Sequence, residues 1–165
     1  IHEERLLAIL LFVHIFKKGD DDIKKAIYHL YLKSTGFINN WDLVDTSAEH
    51  IVGAYLTDKN KRPLYRLAKS RHLWERRIAI MATFHFVKHH EFSETLKISN
   101  MLLSDRHDLI HKATGWMLRE IGKRDLRTVE TFLKAHYKKM PRTMLRYAIE
   151  KFPENRRQRY LKGNI

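Results

Sequence analysis

The stretch Glu4–Lys17, ERLLAILLFVHIFK, aligns without gaps with Glu75–Lys88, ERRIAIMATFHFVK, 71 residues further along the chain. In both stretches apolar residues recur every three or four positions, which is the period of a helix face. Half of this spacing, 35 residues beyond Arg77, reaches Lys112 in another helical stretch. A period of about 35–40 residues with two helices per unit is typical of HEAT-type repeats. The sequence therefore predicts an all-α fold, an α-solenoid of antiparallel HEAT-like helical repeats.

The rest of the chain also has helical patterns, and no stretch alternates polar and apolar residues with the period of a strand. Prolines at 63, 141 and 153 stand where helices are expected to begin. The motif Thr46–Glu49 fits a capping box, which predicts a helix start at residue 47. Helices are predicted over residues 3–18, 21–34, 47–56, 63–70, 73–89, 93–103, 108–123, 126–139, 142–151 and 154–161.

The length of 165 residues is that of one domain. We expect residues 1–165 to form a single HEAT-like repeat domain. No capping unit precedes the apolar first helix, which would then be exposed, so we also expect that N-terminal helices are missing from this domain. The absence of cysteine excludes disulfides, thiolate zinc sites and cysteine nucleophiles. The longest apolar run, Leu6–Val13, is too short to cross a bilayer.

Positive charge is concentrated in the second part of the chain. Residues 1–58 have a net charge of −3, whereas residues 59–165 have a net charge of +16. A field of this size attracts polyanions, and nucleic acid is the first candidate ahead of an anionic membrane.

The helix predicted over 108–123 combines a tryptophan with cations on one face. At 100° per residue, Lys112, Trp116, Arg119 and Lys123 lie opposite the apolar stripe that would face the core. An exposed aromatic ring between positive charges suits a base, a sugar or a backbone phosphate. The alternative is that Trp116 packs against the neighbouring repeat and binds no ligand.

The helix predicted over 73–89 is apolar nearly all round except for one polar stripe. Arg77 lies on that stripe and is a candidate phosphate-binding residue, with a solvated surface arginine as the alternative. Arg76 points towards the apolar side, so we expect it to pair with an acid between helices.

The segment Asn40–Asp45 places a carboxylate beside an aromatic residue. One turn of helix would put Trp41 and Asp45 on the same face, at positions i and i+4. A lone carboxylate in an otherwise cationic groove would repel DNA, so its presence needs a functional or a structural reason. From spacing alone, Asp45 could equally cap the helix that follows it.

Other catalytic motifs are not found. His107 and His111 are spaced i, i+4, but no HExxH frame or third ligand accompanies them. The chain also has neither a GxSxG elbow nor a phosphate-binding loop of the Walker type. The sequence therefore predicts no metal and no cofactor.

Three motifs in order, Trp41–Asp45, Trp74–Arg77 and Lys112–Glu120, resemble the AlkD-like DNA alkylation repair family of HEAT-like-repeat DNA glycosylases. The resemblance covers essentially the whole chain and implies hydrolysis of the N-glycosidic bond of cationic alkylated purines, such as 3-methyladenine and 7-methylguanine. It implies a catalytic carboxylate at Asp45 and cleft tryptophans at Trp41 and Trp116.

The resemblance further implies that Arg77 and Arg119 hold phosphate, and we add Lys112 and Lys123 as DNA-binding residues from their place on the same face. The implied partner is double-stranded DNA carrying alkylated purines, bound by a monomer in the bacterial cytoplasm at the nucleoid, with no membrane and no cofactor. The alternative is a non-catalytic HEAT-like module that binds nucleic acid or acts as a protein scaffold.

Overall fold

A computed structural model describes all 165 residues, and its regular structure is helical throughout, without a strand. This confirms the all-α prediction. The α-helices are α1 (His2–Lys18), α2 (Asp21–Lys33), α3 (Trp41–Asp45), α4 (Arg62–Ala68), α5 (Leu73–Ala82), α6 (Phe84–Lys88), α7 (Ser93–Met101), α8 (Asp108–Gly122), α9 (Leu126–His136), α10 (Arg142–Ala148) and α11 (Glu154–Lys162). A 3-10 turn at Thr35–Phe37 and a π-helical segment at Glu49–Gly53 complete the regular structure.

Local signals set most of the helix starts. The Asp20 side chain accepts a hydrogen bond from the backbone N–H of Ile23 at 2.9 Å, which caps α2. Asp125 caps α9 in the same way through the N–H of Thr128 at 3.0 Å. Pro141 and Pro153 stand at the N-caps of α10 and α11, which confirms that these prolines mark helix starts.

The predicted capping box at Thr46–Glu49 is wrong. The hydroxyl of Thr46 donates back to the carbonyl of Asp42 at 2.7 Å, and that of Ser47 donates to the carbonyl of Leu43 at 2.5 Å. Both side chains therefore satisfy the C-terminal end of α3 rather than the start of a new helix. The chain passes from α3 through a short turn into the π-helical segment.

The helix predicted over 73–89 is divided at Thr83 into α5 and α6. Gly53, at the end of the π-helical segment, lies against this division, because a Cβ added there would be 2.2 Å from the carbonyl oxygen of Ala82. The aligned stretch at 4–17 forms the unbroken helix α1. The two similar stretches therefore differ in structure where another element presses on the second one.

The elements that carry the predicted site pack on one another in succession. The helix α3 and the π-helical segment pack on α5, α5 packs on α8, and α8 packs on α9 and α10. Gly53 lies close to Ala82 and His85, and Gly115 lies close to Met144 and Tyr147. In both cases the two neighbours follow the glycine by 29 and 32 positions in the sequence. This recurrence agrees with repeated units, and the HEAT-like solenoid stays a prediction.

Buried apolar side chains form two clusters, one running from α1 to α8 and one from α6 to α11. The outer face of α1 exposes large apolar residues, among them Leu7, Leu10, Leu11 and Ile15. The expectation of further helices before α1 stays a prediction. None of the helices combines the length and the apolar character that a transmembrane segment requires.

Candidate active site

A cleft of about 270 Å³ lies between α3, α5, α8 and α10 and brings together predicted residues from three separate motifs. Trp41 from α3 is 55% exposed at the mouth of the cleft, whereas Trp116 from α8 is half-buried. The residues that line the cleft are Trp41, Arg77, Leu109, Lys112, Ala113, Trp116 and Tyr147.

Trp116 both borders the cleft and packs against a neighbouring helix, the two alternatives that the sequence left open. Its ring lines the cleft, and it also packs against Phe84 with ring centroids 6.1 Å apart and planes tilted by 52°. The contact with Phe84 holds the indole in one orientation while part of the ring stays accessible. Trp116 is therefore neither a core residue nor a freely solvated one.

Asp45 and Arg77 form a nearly buried ion pair, in which Arg77 lines the cleft and Asp45 does not. Both carboxylate oxygens of Asp45 accept from Arg77, Oδ1 from Nε at 2.9 Å and Oδ2 from Nη2 at 2.7 Å. The Arg77 side chain is 6% exposed and the Asp45 side chain 14% exposed. A solvated surface arginine is therefore excluded at position 77.

The same guanidinium also reaches α8, because Arg77 Nη1 donates to the carbonyl oxygen of Leu109 at 2.6 Å. One side chain thus links α3, α5 and α8 around the cleft. The bidentate geometry fixes the plane of the carboxylate. No backbone N–H donates to Asp45, so the capping role is not seen.

Contacts from the N-terminal part of the chain hold the short helix α3 in place. The Asn40 side chain accepts from the N–H of Trp41 at 2.8 Å at the start of α3. His2 on α1 contacts Asp42 through Nε2 and Oδ2 at 2.7 Å, and Arg5 donates to Asn39 at 3.0 Å. The helix α1 therefore supports the element that carries Trp41 and Asp45.

Each predicted DNA-binding residue of α8 has a nearby acid. Lys112 pairs with Asp108 at 2.7 Å and Lys123 pairs with Glu120 at 2.6 Å, whereas Arg119 contacts Glu150 on the chain after α10. The hydrogen bond with Asp108 raises the pKa of Lys112 above its ordinary value. Burial alone would raise the pKa of Glu120, but hydrogen bonds from Lys123 and Arg124 outweigh it and hold that pKa below its usual range.

A sequence model of the DNA alkylation repair enzyme family matches residues 1–152. The chain belongs to this family. This match confirms the suspected relationship to the DNA alkylation repair family, and all seven predicted site residues lie inside the matched range. Membership supports a role in the repair of alkylated DNA, which makes DNA the expected partner of this chain. No curated protein sequence matches the chain.

The structure of this family member also brings residues to the cleft that sequence reasoning missed. Tyr147 on α10 lines the cleft, and Phe84 supports Trp116. The 35-residue step that leads from Arg77 to Lys112 reaches Tyr147 when it is applied once more. A signal for Tyr147 was therefore present in the repeat, whereas nothing in the sequence singles out Phe84.

The prediction that Arg76 pairs with an acid between helices is confirmed, because its Nε donates to Asp105 Oδ2 at 2.6 Å. This second ion pair is also largely buried, with side-chain exposures of 18% for Arg76 and 5% for Asp105. Neither residue lines the cleft. The pair therefore offers a structural counterpart to Asp45 and Arg77.

The histidines of α8 make local contacts. His107 accepts from the N–H of Leu109 at 3.3 Å, and His111 Nε2 lies 2.6 Å from the carbonyl oxygen of Asp105. No group of three His, Asp or Glu side chains is arranged to hold a metal ion. A larger cavity of about 610 Å³ near Tyr65 and Glu75 contains none of the predicted site residues.

Proposed function

We propose that this chain is a DNA glycosylase that hydrolyses the N-glycosidic bond of cationic alkylated purines in duplex DNA, with 3-methyladenine and 7-methylguanine as substrates. The observation that carries the proposal is the oriented Asp45 carboxylate, one helical turn from Trp41 and paired with Arg77, which lines the cleft together with Trp41 and Trp116. Family membership supports the repair role, and the arrangement of these residues supports the reaction.

The leaving group of this reaction needs little catalytic assistance. A purine alkylated at N3 or N7 already carries a positive charge, so it leaves as a neutral base and no general acid is needed. As the bond breaks, positive charge develops on the deoxyribose. A fixed carboxylate stabilises that charge and orients the attacking water, as in the glycosidase mechanism but with one acid.

Arg77 gives Asp45 a defined position and makes its charge tolerable near DNA. An isolated carboxylate would repel the phosphates, but the guanidinium partner offsets its charge before a lesion binds. The bidentate pair also holds the carboxylate in one orientation beside the cleft residue Arg77. We infer that Arg77 acts mainly as a positioning residue for Asp45, while its place at the cleft wall leaves a phosphate contact open to it.

The tryptophans favour a cationic ligand over a neutral one. The face of an indole ring attracts a nearby cation by about 0.5–2 kcal/mol. In the proposed complex Trp41 and Trp116 contact the sugar and the backbone of the lesion nucleotide. This attraction grows as positive charge moves to the sugar, so part of it acts in the transition state.

Binding to DNA would use Lys112, Arg119 and Lys123. The acids that pair with Lys112 and Arg119 are exposed, whereas Glu120, the partner of Lys123, is buried. Exposed ion pairs contribute little to stability, so phosphates can replace Asp108 and Glu150 at small cost. The net charge of +16 over residues 59–165 supplies the long-range attraction. We further propose a HEAT-like solenoid that binds DNA as a monomer, in the cytoplasm at the nucleoid.

The direct test measures the release of methylated bases from alkylated duplex DNA by the purified chain, with DNA affinity measured in parallel on the same duplex. The proposal predicts release of 7-methylguanine and 3-methyladenine well above the spontaneous rate. Salt-dependent binding without release would instead indicate a non-catalytic nucleic-acid-binding module. If the chain neither binds DNA nor releases bases, the protein-scaffold interpretation is the one that remains.

A further inference from the structure

Tyr147 lies at the cleft without a role in the reaction described so far. It comes from α10, which contributes no other residue to the cleft lining, and it is partly buried. We propose that its ring is a third aromatic wall, which contacts the positively charged lesion nucleotide together with Trp41 and Trp116. The substrate class in this proposal rests on the proposed glycosylase function.

Gly115 brings Tyr147 to this position. A Cβ added at Gly115 would lie 2.5 Å from the carbonyl oxygen of Met144 and 2.5 Å from Cβ of Tyr147. No side chain fits there, so only glycine allows α10 to pack this closely on α8. Gly115 directly precedes Trp116, and the close approach therefore sets the separation between α10 and the helix that carries the indole ring.

The surroundings of Tyr147 suit an aromatic contact with a cation. The cleft lining contains three aromatic side chains, the apolar residues Leu109 and Ala113, and the two cations Arg77 and Lys112. Arg77 and Lys112 are each already paired with a carboxylate. A ligand cation in the cleft therefore meets aromatic faces, whose quadrupole attracts it.

A ring contact and a hydroxyl contact make different predictions. Tyr147→Phe keeps the ring and removes the hydroxyl, whereas Tyr147→Leu keeps an apolar side chain and removes the ring. If the ring binds the cation, Tyr147→Phe behaves as the wild type. Tyr147→Leu then loses affinity for cationic ligands, by about tenfold for a cation–π contact of ordinary strength.

The experiment compares affinities for two duplexes that differ only in the charge of an abasic analogue: a cationic pyrrolidine ring in one and a neutral tetrahydrofuran ring in the other. We expect the wild type and Tyr147→Phe to prefer the cationic duplex, and Tyr147→Leu to lose about tenfold of that preference. Tyr55→Leu is the control, because Tyr55 is half-buried and stacks on Tyr28 away from the cleft. It should keep the wild-type preference.

Excision of 7-methylguanine by the same variants separates this proposal from the glycosylase function. If the wild type releases the base and Tyr147→Leu changes neither the rate nor the preference for the cation, Tyr147 only packs against α8 and the inference is wrong. An equal loss in Tyr147→Phe would assign the effect to the hydroxyl and overturn the ring contact. If the wild type releases no base, the glycosylase proposal fails, while the affinity ratio still tests Tyr147.

Discussion

Arg77 reaches Asp45 from 32 positions away in the sequence, and the pair is nearly sealed from solvent. Removal of one partner from a buried pair leaves an uncompensated charge and costs about 3–5 kcal/mol, which is far more than the loss of an exposed pair. The pair therefore contributes to the stability of the fold and also positions the proposed catalytic carboxylate. Substitutions at either residue need a stability measurement beside every activity measurement.

Replacement of Arg77 by Gln is expected to lower the free energy of unfolding by about 3–5 kcal/mol, because Asp45 keeps its charge without a partner. Addition of Asp45→Asn to this variant should restore part of the loss, since the second change removes the stranded charge. Urea denaturation of the single and double variants measures both effects. Lys112→Gln, at the exposed pair with Asp108, should leave the free energy of unfolding nearly unchanged; a similar loss there would contradict this account.

At the scale of the element, close contacts through glycine set how the π-helical segment packs on α5. A Cβ at Gly53 would lie 2.2 Å from the backbone carbonyl oxygen of Ala82. Unlike the end of a flexible side chain, this backbone atom cannot move aside easily. The same kind of contact joins α8 to α10 at Gly115. Backbone contacts of this kind decide where the site residues meet.

Gly53→Ala is therefore expected to lower the free energy of unfolding by about 1–3 kcal/mol, the range for an overpacked interior position. Gly36→Ala is the matched control, because a Cβ there meets nothing within 4 Å. That control should be neutral or slightly stabilising. Thermal or urea unfolding of the two variants measures the difference, and equal stability of both would show that the π-helical segment has room to shift.

Helix positions could be predicted because their signals are local. Periodicity located α2, α8 and α9 to within a few residues, and Pro141 and Pro153 marked the starts of α10 and α11. The division at Thr83 and the π-helical segment at Glu49–Gly53 could not be predicted in this way, since both depend on contact between distant elements. Capping residues in sequence alone do not reveal that Thr46 and Ser47 bond backwards to α3.

The candidate site was predicted unevenly for the same reason. A fixed spacing on one helix associated Trp41 with Asp45, and the angle around α8 associated Trp116 with Lys112. The partner of Asp45 could not be read from either helix, because the pair forms only when α3 packs on α5. Tyr147 required the repeat step to be extended by one more unit.

At the scale of the molecule, charge asymmetry dominates the expected behaviour towards DNA. Residues 59–165 carry a net charge of +16, although the predicted contacts of α8 are each paired with an acid in the free protein. Binding should therefore exchange protein acids for DNA phosphates and release counterions from the duplex.

DNA affinity is expected to fall steeply with salt. If about 4–6 phosphates are neutralised, log K should decrease with log salt at a slope of about −4 to −5. Arg119→Gln should make the slope shallower by about 1, and equally on alkylated and unmodified duplexes. Fluorescence anisotropy over a salt series measures the slope. A flat response would contradict nucleic-acid binding altogether.

The central claim is that Asp45 stabilises positive charge on the sugar, and its most direct test compares Asp45→Asn with Asp105→Asn. Both substitutions neutralise the acid of a largely buried arginine pair, but only the arginine that pairs with Asp45 lines the cleft. Release of 7-methylguanine is measured at a temperature where circular dichroism shows both variants folded. The account predicts that Asp45→Asn releases the base about 10²-fold more slowly with equal or tighter DNA binding, while Asp105→Asn keeps the wild-type rate. Release by Asp45→Asn at the rate of Asp105→Asn would contradict it.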